Sequence, residues 1–214
     1  MVLRAIRGRV RDECALRREL ERWASGGADG PGRLGLLAGT SQDGVFVGLF
    51  DLGGDLAGDD DPAAASGARG RQTRWDRVVG LLHGPAVIDH PHVQIVGETI
   101  AGEGGGTGRA EALALGRARF ARITWGRTAD RDALWALRRR LARWLPEGRP
   151  DLLGLLSAAT ASGWLVEAAY HESEELTLAA DRGEQEPEVA EILHEASGLV
   201  TVAAADVLRD LWLA

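Results

Sequence analysis

The 214-residue sequence contains no lysine and no asparagine, and only one cysteine, one methionine and one tyrosine. Cys14, being alone, excludes an intrachain disulfide, and a reducing cytoplasm is the simple expectation. No run of about 20 apolar residues occurs, so no membrane-spanning helix is expected. The opening MVLRAIRGRV has arginines but lacks the apolar stretch of a secretory signal. All 25 basic residues are arginines, and 32 acids outnumber them to give a net charge of −7. That surplus argues against nucleic acid as the main partner, because phosphate binding asks for a basic face. Also missing are a Gly-x-Ser-x-Gly elbow, a zinc signature and a dinucleotide fingerprint, which leaves hydrolase and dehydrogenase readings weak.

What the chain does contain is a repeat. Leu16-Arg17-Arg18-Glu19-Leu20-Glu21-Arg22-Trp23 matches Leu137-Arg138-Arg139-Arg140-Leu141-Ala142-Arg143-Trp144 at six of eight positions, 121 residues apart. Leu34-Gly35-Leu36-Leu37 returns as Leu153-Gly154-Leu155-Leu156 at 119, and Gly8-Arg9 as Gly126-Arg127 at 118. The matches fall in chain order, as a duplication would place them. In each half a strand (2–10, 119–127) precedes an amphipathic helix (12–25, 130–145). Hairpins follow about Asp43-Gly44 and Ser162-Gly163. Then come a second helix, near 74–83 and 174–196 (the latter broken around Gly183 and Pro187), and a last strand, near 92–99 and 198–205.

This order is the β-α-β-β-α-β of a ferredoxin-like unit. The expected fold class is α+β, with two tandem units at 1–101 and 119–214. A mobile insert at 53–72 and the glycine-rich linker 102–118 complete the chain. Runs such as Val45-Phe46-Val47 and Leu165-Val166 leave no solvent side, and a sheet apolar on both faces needs a cover on each. The expectation is therefore that the antiparallel sheets pack together as a pseudo-dimeric α/β barrel.

The segment Val166-Glu167-Ala168-Ala169-Tyr170-His171-Glu172-Ser173-Glu174-Glu175-Leu176 runs from a third strand through an aromatic residue into a Glu-Ser helix start. With the paired architecture, it resembles the antibiotic biosynthesis monooxygenase family of the dimeric α/β-barrel superfamily. The first half departs from that pattern at Phe50-Asp51-Leu52. The resemblance implies small-molecule work inside a barrel: cofactor-free oxygenation of an aromatic or polyketide-like substrate, or haem degradation. Its haem-degrading branch is similar in using an Asn on the first strand with a Trp and a His on the second helix. Trp75 and His83 stand where that pair would be, but there is no Asn, so haem through His83 is a secondary reading. A non-catalytic ligand-binding or structural protein of the same fold is the rival.

The pocket candidates follow from the strand pattern. Leu3 and Ala5, like Ala121 and Ile123, make a uniformly apolar face that helices should prefer, which would turn Arg4 and Arg122 into the barrel. Glu167 is the single acid in an apolar strand and is expected to pair with Arg122. The counterpart of Glu167 is Gly48, so Arg4 would be free to hold an acidic or phenolate group, unless it sits at a wet strand end. Trp125 and Trp164, which the first half replaces with Arg7 and Val45, either line the pocket of a flat ligand or fill core. Tyr170 is a candidate proton donor or oxyanion partner, or a hydroxyl at the barrel rim. His83, His90 and His92 lack metal-ligand spacing, and no metal is expected. A small hydrophobic or aromatic molecule is the expected partner, with further oligomerisation open.

Overall fold

A computed structural model describes residues 3–24, 37–51, 72–89, 92–97, 118–144, 151–183 and 186–212. The chain divides into two compact units, Met1–His90 with Trp212–Ala214, and Pro91–Leu211. Apart from Gln72 and Ala118, the expected insert at 53–72 and linker at 102–118 lie outside the described residues.

In the first unit the described elements are β1 (Leu3–Val10), α1 (Glu13–Ala24), β2 (Leu37–Ser41), β3 (Val45–Asp51), helix α2 (72–80) and β4 (Leu82–Asp89). The strands lie in the order β4-β1-β3-β2, the ferredoxin-like arrangement, with β1 antiparallel to both neighbours. Asp12 starts α1 by accepting the Ala15 amide at 2.9 Å, which satisfies one of the donors a helix start leaves bare. The turn between β2 and β3 needs Gly44 at φ 69°. One side of the sheet carries the helices over Ile6, Phe46, Phe50, Leu16, Trp75 and Val78. Trp212 joins this core, its ring 5.8 Å from that of Phe46.

The second unit contains β5 (His92–Gly97), β6 (Phe120–Thr128), α3 (Arg131–Ala142), β7 (Leu152–Ala159), β8 (Trp164–His171), α4 (Glu174–Arg182), α5 (Pro187–Leu199) and β9 (Val200–Leu211). Its order is β9-β6-β8-β7-β5, again ferredoxin-like with β5 added beyond β7. Asp130 caps α3 through the Ala133 amide at 2.9 Å, and Ser173 caps α4 through the Leu176 amide. Pro187 opens α5 at a position where its missing N–H costs nothing. Leu134, Leu137, Leu141, Val189, Ile192 and Ala196 pack on Leu155, Ala159 and Leu165 of the sheet.

Two boundaries differ from the sequence reading. The strand near 92–99 was expected to close the first unit, yet β5 pairs with β7 in the second, His92 opposite Ala159 through Gly97 opposite Gly154. The first unit is closed instead by β4, which begins where the second helix was expected to end. Gly84 at φ 55° and Pro85 give this strand the look of a turn, while Leu82 is held in the core.

Equivalent positions of the two units share one register. Arg4 faces Phe50 and Ile6 faces Gly48 in the first; Arg122 faces Ala169 and Thr124 faces Glu167 in the second. The Val10 amide reaches the Gly44 carbonyl at 3.0 Å, and the Thr128 amide reaches that of Gly163 at 2.8 Å. The helices α1 and α3 begin 118 residues apart, so the octapeptide match at 121 lies nearly one turn out of step with them.

Candidate functional site

Side chains opposite one another in an antiparallel pair share a face, so the registers sort every strand residue of the second unit. Leu165, Glu167 and Ala169, with Leu155, Ser157 and Ala159, face the helices. On the other face lie Ala121, Ile123, Trp125 and Arg127 of β6, Trp164, Val166, Ala168 and Tyr170 of β8, Leu156 and Ala158 of β7, and Asp206 and Leu208 of β9. This helix-free face is as buried as the other: Ile123, Val166, Ala168, Leu156 and Leu208 have no solvent exposure.

The arginines expected to point away from the helices point toward them. Arg122 donates to Asp181 of α4 at 2.6 Å, with the Phe120 ring 5.8 Å beneath its guanidinium. Arg4 donates to Gln72 of α2 at 3.1 Å and lies 5.2 Å from the Trp75 ring centroid. The reason is packing. The helix side of the first sheet is filled by the Phe46 and Phe50 rings, which close over Gly48 so tightly that a Cβ there would meet Phe50 at 2.3 Å. Ile6 shares that face, and Arg4, two residues along β1, shares it with Ile6.

Glu167 does not meet Arg122. It takes two hydrogen bonds from Arg138 of α3, 2.9 Å from Nε and 2.7 Å from a terminal nitrogen, and a third from Ser157 Oγ at 2.8 Å. All three residues are buried. This bidentate cluster satisfies a charge pair taken out of water and locks α3 to the sheet. A second ion pair ties β9 to α4: hydrogen bonds from Arg209 hold the Glu174 carboxyl below the usual carboxylate range, outweighing burial.

His83 is not in a helix but exposed on β4, whereas Trp75 is buried in α2 against Arg4 and Phe50. The two therefore do not share the helix that the secondary haem reading required. The side chains of His90 and His92 lie outside the described residues. Among those described, no group of three or more His, Cys, Asp or Glu gathers as metal ligands do.

Trp125, Tyr170 and Trp164, in contrast, share the helix-free face. Trp125 is 5 % exposed, and its indole Nε1 has no hydrogen-bond partner among the described residues. A buried donor left unmade costs about 1–3 kcal/mol, and native structures keep such groups rare. Tyr170, with Ala121 opposite it on β6, is fully buried, and desolvation pushes its phenol far above the ordinary value, so the hydroxyl stays protonated. Trp164 is 45 % exposed at the open end of the same row, where Arg127 stacks on it at 5.0 Å.

Asp206 escaped the sequence reading. It sits opposite Ile123, 5 % exposed, and places a carboxyl on the face that carries Trp125 and Tyr170. The signal was present, because it is the single charge in Val200–Val207, as Glu167 is in β8. A bulge in β9 follows Trp125, where Ala203 is passed over between Ala204 and Val202. Such irregularities re-aim side chains. The β9 backbone there comes so close that a Cβ on Gly126 would meet the Thr201 carbonyl oxygen at 2.5 Å.

No family model and no curated protein matches the chain. Solved structures do. A candidate monooxygenase from Lactobacillus acidophilus NCFM superposes with a TM-score of 0.56 at 12% identity, covering 100% of this chain and 98% of that one. One from Fusobacterium nucleatum gives 0.57 at 7%, covering 99% and 94%. An anthrone oxidase-like protein gives 0.55 at 12%, covering 97% and 90%. The chain thus shares its fold, over nearly its whole length, with proteins so described. Among the described residues no helix is long and apolar enough to cross a membrane.

Proposed function

We propose that the helix-free face of the second unit binds a flat aromatic molecule bearing a hydrogen-bond acceptor, and that the chain oxygenates it with dioxygen without a metal or organic cofactor. The observation that carries this reading is the buried Nε1 of Trp125, unpartnered among the described residues, on a largely apolar face. A ligand carbonyl or phenolate oxygen would satisfy it. The protonated Tyr170 hydroxyl supplies a further polar contact on that face, and the surrounding aliphatic side chains suit a ring system.

The chemistry asked of the residues is modest. An aromatic substrate with an activated methylene loses a proton, which Asp206 accepts. The resulting carbanion, its charge spread onto the oxygen held by Trp125, gives its electrons to dioxygen. Formation of a peroxide at that carbon and loss of water leave a ketone: one CH2 and one O2 become one C=O and one H2O. Preorganised donors at the oxygen that gains charge are the protein's main contribution.

The same proposal takes the chain as a tandem duplication of one ferredoxin-like unit. The shared register, the matching Asp12 and Asp130 caps and the paired Gly44 and Gly163 bonds support it. A cytoplasmic location belongs to this reading as well.

The test is oxygen uptake with anthrone as substrate. Turnover in wild type, with one O2 consumed per anthraquinone formed and a loss of about 100-fold in Asp206→Asn, is the expected result. Rates equal to the buffer control would refute the oxygenase. Binding without turnover would leave the non-catalytic ligand-binding protein as the reading.

A further inference from the structure

Arginine stacks on tryptophan four times among the described side chains: Arg4 on Trp75, Arg17 on Trp212, Arg131 on Trp135 and Arg127 on Trp164. In the first three cases the guanidinium is also held by a side chain, Gln72, Glu13 and Asp132 respectively. Arg127 is different. Among the described residues its one polar contact is the Ser162 carbonyl at 3.3 Å, and it has no carboxylate partner there.

Its position gives that difference meaning. Arg127 follows Trp125 by two residues on β6, so both project from the helix-free face, and the unbroken pairing of β6 with β8 sets Arg127 opposite Trp164. Along this row exposure falls from Trp164 at 45 % through Trp125 at 5 % to Ile123 at 0 %. The open end of the face therefore presents a cation and an exposed indole, and the covered part begins one pleat further in with the unpartnered Nε1. The hairpin holds the pair in place. Thr160 Oγ1 accepts the Trp164 amide at 3.0 Å and meets Ser162 Oγ at 2.9 Å, while Gly163 at φ 85° makes the turn. A guanidinium carries five N–H donors in a planar fork, and one carbonyl leaves most of them available.

The geometry points to Arg127 as a specificity-determining residue that selects an organic anion: an aromatic molecule whose carboxylate is held at the rim by Arg127 while its rings lie on Trp164 and reach toward Trp125. This rests on the proposed binding face and adds to it the charge of the ligand and the direction in which it lies.

The experiment uses two probes of like shape, 2-naphthoate and the neutral 2-naphthalenemethanol, titrated by calorimetry into the full-length chain. Wild type should favour naphthoate, and Arg127→Gln should weaken naphthoate about tenfold while leaving the alcohol within twofold. Arg127→Lys, which keeps the charge but loses the fork, should fall between them. The preference should shrink as salt is raised, because the rim is exposed. Equal affinity of wild type for both probes, or equal effects of Arg127→Gln on both, overturns the rim assignment. In that event a Trp125→Phe variant that weakens both probes keeps the binding face standing by itself. Failure of both probes to bind wild type removes the face and the rim together.

Discussion

Arg138 of α3 and Glu167 of β8 form two parallel hydrogen bonds, 2.9 and 2.7 Å long, in a part of the second unit closed to water. Position 167 thus anchors a helix, and its counterpart in the other unit, Gly48, leaves room for aromatic rings. One register position has two solutions, a charge cluster and a ring pair. Removing one partner strands the other. Arg138→Ala should destabilise the protein by about 3 kcal/mol or more, whereas Arg138→Met with Glu167→Leu should come close to wild type. Chemical denaturation of the three proteins measures this.

Gly48 carries the complementary prediction. A Cβ at 48 would lie 2.3 Å from the Phe50 ring, which is itself buried, so Gly48→Ala should cost about 1–3 kcal/mol through overpacking. Gly80, at the end of α2, would meet nothing within 4 Å. Gly80→Ala should therefore stabilise by about 0.5–1 kcal/mol. Opposite signs for the two substitutions are the expected outcome of thermal unfolding.

Tyr170 is the protein's one tyrosine, so phenolate absorbance near 295 nm reports it alone. Burial raises its pKa well above the ordinary value of 10.0. The folded protein should show no phenolate signal as pH passes 10, and the signal should appear together with unfolding. The unfolded chain releases this proton first, so it binds fewer protons than the native state between the two pKa values. Stability from this group is therefore complete below pH 10 and declines above it. A reversible phenolate titration centred near 10 in the folded protein would contradict the burial.

The arginines that the sequence singled out should matter little to ligands. Arg122 is committed to Asp181 and Arg4 to Gln72, both on the helix side. Arg4→Ala and Arg122→Ala should leave 2-naphthoate affinity within twofold of wild type. Each should cost at most about 1 kcal/mol of stability, because both pairs are partly exposed. Calorimetry and denaturation on the same samples separate the two effects.

Apart from β4, strand and helix order was legible, as were both hairpin turns and the break between α4 and α5, because each has a local cause: alternation, a glycine at positive φ, or a proline at a helix start. The face that helices choose was not. Ala121 and Ile123 are as apolar as any core stripe, and the deciding partners, Asp181 for Arg122 and Arg138 for Glu167, lie 59 and 29 residues away. Strand β4 was hidden for another reason, since Gly84-Pro85 reads locally as a turn while its pairing with β1 is long-range. Trp125 and Trp164 stood out as aromatics absent from the first half, a difference the sequence displays without structure, and Tyr170 as the hydroxyl that ends the third strand. Asp206 is as visible in the sequence as Glu167, each being the single charge of an apolar run.

In the proposed function the Trp125 indole is a donor that awaits a ligand oxygen. Its 15N–1H signal, assigned by its loss in Trp125→Phe, can be followed while 9-fluorenone, a flat aromatic ketone, is added. A downfield shift of that one N–H that saturates with binding is the expected result. Saturable binding that leaves the Trp125 signal in place, or no binding at all, would contradict it.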